Sequence, residues 1–373
     1  FKQKTAYEIS LGLVGSEMCI RDRPNSGYAA LKVRLLFILL LVGMLILSTI
    51  PTTLIAQERK IIVMVSVDSL ASIIREISID NVEVVTLIPE GAEPHSYQVS
   101  PEVVEKARNA DLFIFTGHLV FEEKLNELLP QIPVLQINSE NYFGNYKLRI
   151  LKLPDGRRNL HAYWLHPDNA LAIAKAFVDK LSEIDPINSE KYYEKLSVFE
   201  KRVENVKQYI SKIIEFYGMK DVGIVITFPG EQYIADTLDL KVIGMLSKGE
   251  GVFASGAELS EIKSKLESRE AKIMVASDVS RMLNVGKFIE KLCKETETPI
   301  AYVRLIGVKE LSYTDLLTYN VGVIVGAYSN SMEKASEQGF NIEFPSTIYM
   351  LLASLAMIVI IESYLLYVKS KYR

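Results

Sequence analysis

Cysteine is almost missing from this chain. Only Cys19 and Cys293 occur in 373 residues, and Cys19 sits in a terminal stretch that reads as foreign to the protein. Cys293 then has no partner, so no disulfide framework is available and cysteine usage says nothing about the compartment. A surplus of one charge is missing too. Lys and Arg number 42, Asp and Glu 46, for a net charge of -4. That leaves no electrostatic case for nucleic acid as a partner. No Gly-x-Gly-x-x-Gly stretch occurs, and the glycine-rich loop Gly249 to Gly256 lacks the lysine-serine ending of a phosphate loop, so it reads as a connection. No catalytic acid–base pair or nucleophile stands out, so the sequence does not read as an enzyme. Histidine is scarce as well, with four residues in all, and every one lies between positions 95 and 166.

What is present is one long periodic stretch, Ser189 to Tyr217. Its apolar residues fall at Tyr192, Leu196, Phe199, Val203, Val206, Ile210 and Ile213, in alternating steps of four and three. That spacing predicts an amphipathic helix with one apolar stripe, about 43 Å long. Asn188 or Ser189 can cap its start and Gly218 can end it. α/β patterns lie on both sides of it, so it reads as a backbone helix tying two lobes together.

The two ends are read separately. Residues 1–29 are taken as non-native, because SLGLVGSEMCIRDR is similar to translated adaptor sequence. Residues 30–56 follow the layout of a secretory signal: Lys32 and Arg34, an apolar run from Leu35 to Leu47, then small residues. After a juxtamembrane linker at 331–344, the stretch 345–368 is apolar enough to be expected as a transmembrane helix, with 369–373 as a basic cytoplasmic tail. The expected fold class is therefore α/β: two Rossmann-like lobes joined by one long helix, plus a C-terminal transmembrane helix. The lobes are 57–188 and 218–330, with 189–217 between them. The expected location is the cell membrane, with a single-pass C-terminal anchor and extracellular lobes.

Within the first lobe, strands are predicted at Lys60–Val67, Val82–Leu87, Asp111–Thr116 and Pro133–Ile137, with a further candidate at Tyr146–Leu153. Helices are predicted between them, one opened by Ser100-Pro101. In the second lobe, strands are predicted at Val222–Thr227, Lys272–Val275 and Pro299–Val303. Strands alternating with helices imply parallel, doubly wound sheets, whose ligands bind at the carboxyl ends of the strands.

His95 and His161 lie in loops at that edge, and neutral imidazole suits zinc, manganese and related ions. Gly91-Ala-Glu-Pro-His-Ser-Tyr97, followed by Ser100-Pro101, resembles the Gly-x-Asp-Pro-His-x-Tyr stretch of the solute-binding proteins of zinc and manganese ABC transporters, the TroA-like periplasmic metal-binding proteins. His161-Ala-Tyr-Trp-Leu-His-Pro-Asp-Asn-Ala170 resembles that family's His-x-Trp-Leu-x-Pro-x-x-Ala stretch, and Asp185-Pro186 its step into the linker helix.

The resemblance implies a divalent metal, zinc or manganese, held as cargo in the cleft for an ABC permease, with no catalytic cofactor. His95 matches the family's first ligand. His161 matches the second with one extra residue before the tryptophan, and His166 is its rival. In the second lobe the third-ligand position holds Phe228 beside Pro229, so Glu231 is the nearest carboxylate. The fourth-ligand position holds Ser280, with Asp278 two residues earlier. The resemblance thus implies a site drawn from His95, His161, His166, Glu231 and Asp278. The alternative is a degenerate member that binds a metal chelate or a small organic ligand without direct metal coordination. His118 sits beyond a strand near the same edge and reads as a solvated helix-start residue, the alternative being an outer support of the site; Glu122 reads as part of a solvated helix face, the alternative being that it hydrogen-bonds and orients a ligand histidine.

Overall fold

A computed structural model of the chain describes residues 26–49, 59–89, 91–136, 145–249, 252–282, 285–307 and 311–339. It divides into two compact units, residues 1–58 and 59–373. In the first unit, the apolar run forms the helix α1, Ser26–Thr49, with no acidic residue in its first turn.

The second unit holds two four-stranded sheets, both wholly parallel. The first has the order β2-β1-β3-β4, from β1 (Ile61–Val65), β2 (Val82–Thr86), β3 (Leu112–Phe115) and β4 (Val134–Gln136). The second repeats that order as β6-β5-β7-β8, from β5 (Gly223–Ile226), β6 (Lys241–Met245), β7 (Ile273–Ser277) and β8 (Ile300–Val303). The central strands are apolar on both faces: β3, read LFIF, and β7, read IMVAS, are buried at every position. That is what helices on both sides of a parallel sheet require. Helices α2 (Asp68–Ile77), α3 (Pro101–Ala107), α4 (Val120–Leu128) and α5 (Pro167–Ile184) serve the first lobe. Between the lobes runs α6, Ser189–Tyr217, closed by Gly218 in the left-handed conformation. Of its stripe, Tyr192, Leu196, Phe199, Val203 and Ile210 are buried, while Val206 and Ile213 pack half-buried against the same core. Helices α7 (Glu231–Thr237), α8 (Gly256–Glu267), α9 (Asp278–Met282) and α10 (Val285–Glu295) belong to the second lobe.

The last described helix, α11 (Tyr313–Gly339), returns across the molecule to pack on α2 and α6. Its buried residues Tyr313, Leu317, Val321, Ile324 and Tyr328 recur at helical spacing. Tyr313 anchors it, its ring centroid 5.9 Å from that of Phe199 and its hydroxyl donating to the Leu165 carbonyl at 3.0 Å.

The transmembrane part of the expected fold class does not stand. Among the described residues no helix is long and apolar enough to cross a membrane. The stretch 345–368 and the tail beyond it lie outside the described residues. Two smaller corrections concern strands. Tyr146–Leu153 joins neither sheet: Arg149 N–H donates to the side chain of Asn169 and Leu151 N–H to that of Tyr233, and Lys152 makes only an isolated bridge to Arg158. The edge strand β6 is one that the sequence pattern did not suggest, because Gly244 interrupts its apolar run.

Hydrogen bonds stitch the lobes together. Asp236 of α7 takes both guanidinium arms of Arg149 at 2.6 and 2.9 Å. The buried amide of Asn159 donates to the Pro229 carbonyl at 2.8 Å and to Gln232 at 2.9 Å. Ser69 N–H donates to the Ile306 carbonyl at 2.7 Å, next to Gly307. A Cβ at Gly307 would meet the Ser69 backbone at 2.7 Å, and its φ of +95° is open to glycine, so this close crossing demands glycine.

Candidate metal centre

Three loops at the carboxyl edge of the first sheet each carry a histidine. The loop after β2 bears His95, and its shape is set by Glu93, whose carboxylate accepts from the backbone N–H of His95 and Ser96 at 3.0 and 2.7 Å. The loop after β3 bears His118. The third, running into the turn before α5, bears His161. Their rings converge: centroids lie 5.4 Å apart for His95 and His161, 5.6 Å for His95 and His118, and 4.9 Å for His118 and His161. One ring nitrogen from each falls within 4.8 Å of the other two. Nitrogens on a tetrahedral zinc sit roughly 3.3 Å apart, so small side-chain rotations would close the set.

Each loop is held from behind. The buried carboxylate of Glu122, in the first turn of α4, accepts from the N–H of Thr116 at 2.7 Å, of Gly117 at 2.8 Å and of Leu119 at 3.3 Å, and from the hydroxyls of Thr116 and Ser66. Glu122 is therefore the scaffold of the His118 loop and not a solvated face. Burial raises its proton affinity, and this crowd of donors opposes that rise. His161 is oriented by Asn159, whose side-chain oxygen lies 3.2 Å from Nδ1 and 3.0 Å from the His161 backbone N–H. If Nδ1 carries the proton, Nε2 is left free to face the cleft. Gly249, at φ +93°, lies over that atom. A Cβ there would sit 3.4 Å from Nε2.

Two of the three imidazoles, those of His118 and His161, favour the neutral form. Burial, then the nearby His95 and Arg157, push the imidazole of His161 down to about 4. Burial, then His161 and His95, hold His118 well below its ordinary value, against a smaller opposing pull from the Thr116 carbonyl. Nδ1 of His118 is buried and makes no hydrogen bond of ordinary geometry. Three imidazoles converging in this way are a donor set a cation would satisfy.

The structure brings together only two of the residues expected from the sequence, His95 and His161. His166 is elsewhere. It caps α5, its Nδ1 accepting from Asp168 N–H at 3.2 Å, and its Nε2 lies 3.2 Å from Asp236. Both ring nitrogens are engaged. Burial would raise Asp236, but His166 and Arg149 outweigh it and bring it down to about 2. Glu231 is fully buried and accepts from Thr227 N–H and hydroxyl and from Phe228 N–H. Burial pushes its carboxyl up to about 7 against those bonds. Asp278 starts α9 and accepts from the N–H of Val279 and Leu305, both at 3.0 Å, and of Ile306 at 3.3 Å. Neither carboxylate joins the three-histidine group. Asp278 and Glu231 hold loop backbone, as Glu122 does. His118, Asn159 and Gly249 are the site residues that sequence reasoning missed. For His118 the available signal was its place just past a strand, at the edge where ligands bind.

The second lobe faces the imidazoles with an apolar wall. The cavity between them has a volume of about 500 Å³, and Phe228, Pro229, Phe253, Val279, Val285 and Leu305 line its far side. Trp164 closes the near side, its indole N–H donating to Ser69 at 2.8 Å and its ring 6.3 Å from that of His118.

Residues 63–327 match the family described as zinc-uptake complex component A, periplasmic. The chain is 24% identical over 311 residues to the manganese ABC transporter substrate-binding lipoprotein PsaA of Streptococcus pneumoniae, covering 82% of this chain and 91% of that protein. It resembles the structure of the solute-binding protein FpvC from Pseudomonas aeruginosa in complex with Mn2+, with a TM-score of 0.62 at 18% identity, covering 73% of this chain and 99% of that one. It also resembles the Cd-bound periplasmic metal-binding protein of Candidatus Liberibacter asiaticus, with a TM-score of 0.60 at 21% identity, covering 72% and 100%.

Proposed function

This chain belongs to the periplasmic component A family of zinc-uptake complexes, and we propose that it captures a zinc ion in the cleft between its lobes and delivers it to an ABC permease. The observation that carries this reading is the convergence of His95, His118 and His161, each offering a nitrogen within 4.8 Å of the others. All three donors are imidazoles, with no carboxylate among them. Imidazole suits zinc, whereas manganese is better served by oxygen donors, so zinc is favoured over manganese. Three protein ligands leave the fourth position of a tetrahedral zinc open. Capture asks only for neutral donors and a cover, which agrees with a family of substrate-binding proteins rather than enzymes.

The low proton affinity of His118 and His161 keeps the site ready at neutral pH, because a metal has few protons to displace there. Asn159 links the site to the second lobe, since the residue that orients His161 also bonds to Pro229 and Gln232. Loading then adjusts the lobes by a small tilt over the intact helix α6 and does not open a wide hinge, for a hinge would break the Arg149–Asp236 and Asn159–Pro229 bonds. Delivery outside the cytoplasm fits the apolar helix α1, which reads as an export signal. Calorimetric titration of metal-stripped protein tests the proposal. It predicts tight 1:1 zinc binding, weaker manganese binding, and loss of both in His95→Ala, His118→Ala and His161→Ala. No zinc binding in the parent would refute it.

A further inference from the structure

A zinc ion on three neutral imidazoles keeps both of its positive charges. No carboxylate joins the imidazoles as a ligand: Glu231 and Asp278 accept from backbone N–H groups of their own loops, and Glu93, at the rim of the cavity, from those of His95 and Ser96. The open coordination position faces a cavity of about 500 Å³ walled by Phe228, Pro229, Leu305 and Val279. A double charge with no anionic ligand, set against such a wall, is costly. A hydroxide would offset one charge but fill only a small part of that space, since a water's share is about 30 Å³. A cavity of this size with an apolar lining and one strongly polar point is the form of a small-molecule site.

Resting on the zinc-capture reading, we propose that the chain takes its zinc together with a small organic anion: a carboxylate or thiolate that fills the fourth coordination position and lays a compact apolar body against the second lobe. The anion neutralises one charge, and its body replaces the contacts that an empty apolar cavity lacks. Phe228, standing where the resemblance led one to expect a metal ligand, becomes the floor for that body.

The test uses the full chain, stripped of metal and loaded with cobalt(II), whose visible absorption reports the fourth ligand. It is titrated with acetate, benzoate and benzenethiolate. The expected result is a saturable 1:1 spectral change in which the two aromatic anions bind roughly tenfold or more tightly than acetate, from the ring area they bury. The stronger of the two identifies the donor atom. In Phe228→Glu a protein carboxylate takes the fourth position, and the benzoate response disappears. Phe228→Leu keeps the wall apolar and weakens benzoate by a few fold. A cobalt-loaded parent that answers none of the anions holds a metal-bound water only, and one that answers acetate and the aromatic anions equally takes an anion without seating an apolar body; either result overturns the proposal while leaving metal capture intact. Absence of any cobalt spectrum overturns both.

Discussion

The two lobes share one sheet order and differ in what their loops carry. Each buries a glutamate in the first turn of a helix, where the carboxylate gathers the N–H groups of the loop before it: Glu122 in α4 and Glu231 in α7. The scaffolds are alike. On the first lobe the scaffolded loop presents His118, whereas on the second it presents Phe228 and Pro229. A carboxylate near a cleft is therefore no guide to a metal ligand until its hydrogen bonds are counted. In this chain the three convergent histidines sit on one lobe and an apolar wall on the other.

The strongest way to break that division is to remove a first-lobe donor. His118→Ala and His161→Ala are each expected to weaken zinc binding by roughly a hundredfold or more, beyond the 10–100-fold typical of outer partners. Calorimetry checks this, and unchanged affinity in His118→Ala would return the third ligand to the second lobe. Next in size is Asn159→Ala. It frees the His161 ring and cuts two bonds to the second lobe, with an expected loss of roughly tenfold to a hundredfold in zinc affinity.

A pH series on metal-free protein sharpens the comparison, because the two lobes respond in opposite directions. His161 titrates near 4 in the folded protein and near 6.5 when unfolded. Below 6.5 the unfolded chain takes a proton that the folded one refuses, so this group lowers stability as pH falls from 6.5 to about 4. Glu231 titrates near 7 folded and near 4.5 unfolded. There the folded protein takes the extra proton, and stability rises as pH falls from 7 to 4.5. His118, also held below its ordinary value, adds to the histidine slope, so the parent should lose stability on acidification less steeply than a variant without Glu231. Glu231→Gln should expose the histidine slope, a drop of about 2 kcal/mol between pH 7 and pH 4 by urea denaturation, allowing for the partial exposure of His161. Equal slopes in parent and variant would contradict these assignments. The smallest effect is expected for zinc affinity in Glu231→Gln and Asp278→Asn, which should stay within roughly threefold of the parent, since neither carboxylate belongs to the ligand group.

Much of the frame was legible in the chain. The alternating steps of four and three across 189–217 mark one face of a helix, and the apolar runs of β1, β3 and β7 mark strands buried on both faces. The strand misreadings have a common cause. Tyr146–Leu153 alternates like a strand, yet side chains of Asn169 and Tyr233 satisfy its backbone, while β6 pairs with β5 despite Gly244. At the site, His95 and His161 could be found from local pattern. His118 lies at a strand end but in no motif, and its part in the cluster depends on three loops, whose histidines are at 95, 118 and 161, converging to ring separations of 4.9 to 5.6 Å, which no spacing records. His166 was a rival only in sequence. In space its ring is occupied by Asp236 and the Asp168 N–H.

X-ray absorption at the zinc edge of the loaded protein tests the one-lobe site most directly, since the scattering of imidazole rings can be counted. The account predicts three imidazoles and one further light or sulfur donor. Two imidazoles with two oxygens would place a second-lobe carboxylate on the metal and contradict it.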